Sequence, residues 1–329
     1  MARRRKMALV AASIALAAGS LAVAGCGDDD DDSGSGNGEN LSGSITIDGS
    51  STVAPLSEAA AELFQGENPD VRVTVGTSGT GGGFEKFCRG ETDISDASRP
   101  IKDEEIEACE SAGISFEQIS VANDGIAVAV NLENDWAQCL TVEQLNTIWD
   151  RGSDVNNWNQ VDPSFPDEKL TLYGPGTDSG TFDFFTEAIN GEEGVMRTDY
   201  NNIGEDDNAA ITGVSGSPGG MGFIPFSFVE ENADKVKAIE VDDGSGCTAP
   251  TLDTVLAGEY TPLGRQLFVY PSGEALQRPE VDAFLEFYLD NSEEITSRAG
   301  FIPLSDEQLE TEKTELDELI SGAGSETTE

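Results

Sequence analysis

The chain has 329 residues, enough for two ordinary domains with cores of their own, and 37% of it is hydrophobic, as in a globular protein. Eighteen basic residues stand against 63 acidic ones, a formal charge of −45, which excludes nucleic acid as a partner and describes a solvated acidic surface. Histidine is absent, so a Ser–His nucleophile and every histidine-ligated metal site are excluded as well.

In chain order, the first feature is a targeting segment. Arg3, Arg4, Arg5 and Lys6 form a basic head, residues 7–24 carry no charge, and "LAVAGC" places small residues before Cys26. That junction resembles a bacterial lipobox and marks Cys26 for lipidation, with residues 1–25 as signal peptide. A transmembrane anchor is the rival reading, since the run approaches the ~18–20 residues that span a bilayer. "GDDDDDSGSGNGEN" follows at once and reads as a flexible, self-repelling tether over residues 26–42.

From Ser44 onward short β-branched runs alternate with helical stretches. "SITIDG" predicts a strand, "TVAPLSEAAAELFQGENP" a helix with proline near its start, "VRVTVG" a strand and "GGGFEKFCRGE" a short helix. "ISFEQISVANDGIAVAVN" is strand material, and "TVEQLNTIWDRG" and "TFDFFTEAIN" are helices. "GMGFIPFSFVEEN" turns into a strand and then a helix, "RQLFVYPS" is a strand, and "RPEVDAFLEFYLDN" is an amphipathic helix. The acidic tail from Asp306 reads as helical, with residues 321–329 disordered. This alternation predicts an α/β fold with mainly parallel sheets.

Three stretches share one layout, in which a strand runs through a small hydroxyl- and glycine-bearing loop into a helix. They are "DGSSTVAPL" (48–56), "GTSGTGGGFEKF" (76–87) and "GTDSGTFDFF" (176–185). Each offers backbone N–H groups and Ser/Thr hydroxyls at a helix N-terminus, which is an anion site. Such loops are also ordinary helix caps. A serine-type hydrolase is the enzyme alternative, but Ser179 lacks a histidine base and its surroundings are not G-x-S-x-G. No P-loop or dinucleotide fingerprint occurs. "EDDN" (205–208) could hold a cation but lacks EF-hand spacing and reads as a helix start. Neither cofactor nor metal is expected.

Together "IDGSSTVAPL", "GTGGGFEKFCRGETDISDASRPI", "GTDSGTF", "GMGF" and "RPEVDAFLEFYL" resemble the periplasmic phosphate-binding proteins of bacterial phosphate ABC transporters, most nearly their cyanobacterial-type branch. The resemblance runs in order over residues 44–304. It implies a two-lobed type II binding-protein fold that closes on inorganic phosphate and delivers it to ABC transporter permease and ATPase subunits. It also implies a lipid-anchored monomer on the outer face of the cell membrane or in the periplasm, with no catalysis. Carried over by motif, Ser50, Ser51 and Thr52, then Ser78, Gly79 and Thr80, then Ser179, Gly180 and Thr181 supply donors. The family carries an arginine four residues before that last serine, where this chain has Pro175, and an aspartate where this chain aligns Ser98. Arg99 is therefore the candidate cation. Asp96 and Asp178 are candidate acceptors of the phosphate proton, and Asp124 is a weaker one. Sulfate, molybdate, or a sensing or scavenging role remain alternatives.

The resemblance further implies discontinuous lobes, one of residues 43–127 plus 266–320 and the other of 128–265, with crossings near 127–131 and 262–268. An exported chain with four cysteines beyond Cys26 suggests two disulfides, for which three pairings exist. Cys88–Cys109 and Cys139–Cys247 is the pairing that keeps each bond within one lobe.

Overall fold

The computed structural model describes residues 41–177, 179–204 and 206–323. The chain opens with β1 (Gly43–Gly49), α1 (Ala54–Glu67), β2 (Val71–Thr77), α2 (Gly79–Phe87), β3 (Ile94–Ala97), α3 (Asp103–Ala112) and the long β4 (Ile119–Asn131). Its middle adds β5 (Cys139–Thr141), α4 (Val142–Trp149), α5 (Trp158–Val161), β6 (Thr171–Gly174), α6 (Gly180–Asn190), β7 (Asn201–Asn202) and α7 (Asp207–Ser215). There follow β8 (Gly220–Pro225), α8 (Phe226–Glu231), β9 (Val236–Ala238), β10 (Glu240–Asp242), β11 (Cys247–Thr248) and α9 (Leu252–Leu256). Last come β12 (Gly264–Pro271), α10 (Pro279–Asp290), α11 (Ser292–Ala299) and α12 (Asp306–Ala323). Residues 324–329 of the expected tail lie outside the described residues.

Local chemistry accounts for the main elements. In α1, Pro55 sits in the first turn, where the missing N–H costs nothing, and Leu56, Ala60 and Phe64 fall on one buried face. In α10, Pro279 plays the same part, and Val281, Phe284, Leu285, Tyr288 and Leu289 are buried. Asp206 caps α7 by accepting from the Ala209 N–H at 3.2 Å, so "EDDN" starts a helix, although Glu205 lies outside the described residues. All thirteen residues of β4 are buried, polar ones such as Asn123 and Asp124 included, and its second part, 126–130, is a continuous apolar run.

The main sheet runs β2-β1-β3-β12-β4-β8-β6-β7, with β9 also paired to β4. The expectation of mainly parallel sheets needs correction, because the sheet is mixed. β1 is parallel to β2 and β3, and β6 to β7 and β8, whereas β12 runs antiparallel to β3 and β4, and β4 antiparallel to β8 and β9. β4 and β12 link the two halves of the chain. They are not members of strand–helix–strand crossovers, so nothing forces them parallel to their neighbours.

β4 changes partner midway. Its first part pairs with β12 as far as Gly125 opposite Gly264, and from Ile126 to Val130 it pairs with β8. The cores divide in the same way. One gathers Ile45, Leu56, Phe64, Val121, Val269 and Phe284, and another gathers Val128, Trp149, Trp158, Phe185, Phe223 and Tyr260. No helix among the described residues is long and apolar enough to cross a membrane.

Two disulfides staple the halves separately. Cys88–Cys109 joins the end of α2 to α3, and Cys139–Cys247 joins β5 to β11 in a small three-stranded sheet. They span 21 and 108 residues. Loop-closure entropy then makes the longer one the larger contributor, about 4–5 kcal/mol against about 3 kcal/mol. Urea unfolding of the double Cys→Ala variants is expected to show the greater loss for Cys139/Cys247; the reverse order would contradict an entropic origin.

Candidate functional site

The N-termini of α1 and α2 meet beside the end of β3. Ser50 donates its N–H to the Asp96 carbonyl at 2.9 Å and accepts from the Thr52 N–H on its Oγ at 3.2 Å. Thr80 in the first turn of α2 shares a 3.0 Å hydrogen bond with the Ser98 hydroxyl. Glycine is what lets α2 approach so closely. A Cβ on Gly83 would stand 2.5 Å from the Gly49 Cα, so helix and strand would have to part.

Across from these loops lies the first turn of α6. Ser179 is its N-cap, the Ser51 hydroxyl donates to the Asp183 carboxylate at 3.2 Å, and the Thr52 hydroxyl lies 3.5 Å from the Gly180 carbonyl. A Cβ on Gly180 would sit 3.0 Å from the Thr52 Cα. A side chain at residue 180 would press on Thr52, so glycine there eases the approach of the α1 and α6 N-termini.

The cation of the cleft is Arg265, on β12. Its guanidinium donates to Asp124 Oδ2 at 3.2 Å, to the Ser98 carbonyl at 3.2 Å and to Thr52 Oγ1 at 3.1 Å, and it lies 3.5 Å over the Phe184 ring. Arg265 and Asp124 stand directly opposite each other on β12 and β4. Burial pushes the Asp124 carboxyl up and the Arg265 guanidinium down, and their mutual attraction opposes both shifts. An arginine keeps its charge under such pressure.

Three spaces surround this centre. A chamber of about 10 Å³ brings together Ser50, Ser51, Thr52, Gly79, Thr80, Ser98 and Arg265, with Asp183, Glu187 and Glu193 on its far wall. A second space of about 200 Å³ is lined by Ser179, Gly180, Thr181 and Asp124 together with Ser51 and Thr52. A third, of about 550 Å³, lies beyond Arg265 and includes Arg99. Burial raises the Glu193 carboxyl, as do the nearby Asp183 and Glu187 charges.

Some sequence-predicted residues stand elsewhere. The Ser78 hydroxyl donates to Asp48, whose other oxygen accepts from Lys86 at 2.7 Å. Arg99 is gripped by both oxygens of Glu105, each at 2.8 Å, so its guanidinium is held at the edge of the cleft. Asp96 lines none of the three spaces and is fully buried on the core side, where it accepts from Ser57 at 2.9 Å. Asp178 and Cys26 lie outside the described residues. Sequence reasoning missed Arg265, Asp183, Glu187 and Glu193. The available signal for Arg265 was a basic residue heading the apolar run "GRQLFVYP" in a chain with very few cations.

Comparison with known proteins places the chain among relatives. Residues 34–292 match the family model described as a PBP superfamily domain. Protein SphX of Synechococcus elongatus is 47% identical over 263 residues, covering 79% of this chain and 77% of its own. The phosphate-binding protein PstS of Staphylococcus saprophyticus is 38% identical over 280 residues, covering 84% of this chain and 86% of its own. The crystal structure of a possible phosphate binding protein from Planctomyces limnophilus aligns with a TM-score of 0.82 at 42% identity, covering 85% of this chain and 99% of that one.

Burial pushes the Asp96 carboxyl up to about 7, helped by the Asp48 and Glu58 charges and opposed by the Ser57 hydrogen bond. The folded chain therefore keeps a proton there that the unfolded chain has lost above about pH 4. This group's contribution to stability is expected to fall as pH rises from about 4 to 7, by up to about 4 kcal/mol. Asp96→Asn keeps the shape without the charge and should gain stability relative to the parent most strongly at pH 8. Urea midpoints between pH 5 and 8 read the difference; a gain independent of pH would contradict it.

Proposed function

The chain belongs to the PBP superfamily, with SphX and PstS proteins among its relatives, and from that premise we propose that it captures inorganic phosphate outside the cytoplasm and hands it to an ABC transporter. Its fold is the two-lobed type II binding-protein fold, and it binds its ligand without transforming it. The observation that carries the phosphate reading is the chamber itself, where two helix N-termini and one partly buried arginine face carboxylates across a narrow gap.

In this reading neutral donors and a guanidinium replace the ion's hydration shell. N–H groups at the starts of α1 and α2, with the hydroxyls of Ser50, Ser51, Thr52, Thr80 and Ser98, take the unprotonated oxygens. Arg265 supplies the positive charge in the role that the sequence had suggested for Arg99. Ser179, Gly180 and Thr181 close on the ion from the other lobe. Near neutral pH phosphate keeps at least one proton and sulfate keeps none. A carboxylate of the cleft, Asp183 foremost, accepts that proton's hydrogen bond and repels sulfate; Asp178, outside the described residues, is the other candidate the sequence offers.

A chamber of about 10 Å³ has room for about one water. Phosphate therefore enters while the lobes are parted, and they close on it. The change of partner within β4 supports a hinge there, with lobes of residues 43–127 plus 266–320 and of 128–265. Lipid attachment at Cys26, a monomeric state, and delivery to permease and ATPase subunits complete the proposal.

Calorimetric titration tests the site. Phosphate should bind at least about a thousandfold tighter than sulfate. Arg265→Lys, which keeps the charge but loses the planar fork, should weaken phosphate by about 10–150-fold, the span of about 1.5–3 kcal/mol for a charge-assisted hydrogen bond. Arg99→Ala should weaken it less than about threefold, on the same scale, because Glu105 already holds that guanidinium. Equal binding of sulfate and phosphate, or a larger effect at Arg99 than at Arg265 in folded proteins, would overturn the assignment.

Anchoring is tested by fractionation. Cys26→Ala expressed in a bacterium with lipoprotein processing should leave the membrane fraction, whereas the parent stays. A variant that remains membrane-bound to the same extent would contradict lipidation at Cys26.

A further inference from the structure

The small chamber proposed to close on phosphate has a large neighbour. The cavity of about 550 Å³ beyond Arg265 shares four lining residues with it, Ser98, Phe184, Glu187 and Arg265, so the two spaces meet across the arginine. Inorganic phosphate has no use for this volume, which lies in the range of about 300–1,000 Å³ typical of organic ligand sites. The lining is mainly apolar, with Ala188 of α6, Val255 and Leu256 of α9, and Pro262 and Phe268 from the return crossing. The Arg265 guanidinium carbon lies 3.5 Å over the Phe184 ring, so one face of the boundary is cationic and the other aromatic. Glu187 stands at the junction, and Arg99 at the rim is neutralised by Glu105.

We infer that this cavity is a second subsite of the same cleft, which takes the uncharged apolar substituent of a phosphomonoester or phosphonate whose phosphoryl group sits in the small chamber. The inference rests on the phosphate reading and extends it to ligands of the form R–PO₃. Such a ligand keeps three terminal oxygens for the helix N-termini and Arg265, and its fourth substituent leaves past Ser98 and Phe184. Glu187 at the junction and the strongly negative chain select against a second anionic group on that substituent. The class is therefore a short alkyl or aryl phosphoryl compound and not a diphosphate.

Calorimetry on the folded protein with inorganic phosphate, methylphosphonate and phenylphosphonate separates the possibilities. Phenylphosphonate is expected to bind at least about tenfold tighter than methylphosphonate, within the range that an apolar group gains in a matching pocket. Ala257→Trp places a ring in the cavity from an exposed position outside the small chamber. It should abolish that advantage while phosphate affinity stays within about twofold. Leu256→Ser should reduce the advantage without filling the space. Phosphate binding in the parent with phenyl- and methylphosphonate indistinguishable, or a phenyl advantage that survives Ala257→Trp, would overturn the second subsite and leave the phosphate reading intact. If neither phosphate nor the phosphonates bound, the phosphate reading would fall and this inference with it.

Discussion

The architecture of the cleft depends on one largely buried ion pair. Arg265 and Asp124 face each other across β12 and β4, the strands through which the chain passes between its halves. The same guanidinium reaches the Ser98 carbonyl after β3 and the Thr52 hydroxyl before α1. A single cation thus ties together two strands, a loop and a helix start. Enclosing the pair costs desolvation that the mutual attraction only partly offsets, and removing one partner would strand a buried charge at about 3–5 kcal/mol. Such a pair is better suited to fixing geometry than to adding stability.

That geometry explains how a chain of formal charge −45 can present a site for an anion. Surface carboxylates more than about 8–10 Å away are screened by salt, whereas donors within the chamber act at hydrogen-bond range. The helix N-termini contribute fixed partial positive charge without adding a titratable group. The carboxylates that line the chamber, Asp183, Glu187 and Glu193, set its far wall, and in the proposed reading they favour anions that still carry a proton. In that reading selectivity and attraction come from opposite walls of one space.

Much of this was legible in the sequence because local signals and tertiary roles coincide. The three hydroxyl–glycine loops lead into α1, α2 and α6, since small residues at a helix start allow close approach, although none of the three N-cap side chains makes a capping hydrogen bond. The proline-led helices α1 and α10 and the buried run of β4 follow periodicity directly. What escaped the sequence is set by long-range pairing. Strand direction depends on β4 and β12 returning between halves, which periodicity does not encode. Arg265 is 141 positions from Asp124 and 213 from Thr52, and only the fold brings them together. Arg99 looked like the available cation because Pro175 stands where the family carries an arginine, but Glu105 lies six residues on and takes both of the Arg99 terminal nitrogens. Asp96 carries the right chemistry for a proton acceptor, and the packing of β3 turns it toward Ser57 in the core.

A crystal structure grown in the presence of phosphate tests the central claim most directly, since it reads which groups hold the ion. The account predicts a phosphate at the N-termini of α1 and α2, with a guanidinium nitrogen of Arg265 within hydrogen-bond distance and Arg99 still held by Glu105. A phosphate bound through Arg99, with Arg265 remote from it and still donating only to Asp124, Ser98 and Thr52, would contradict the account.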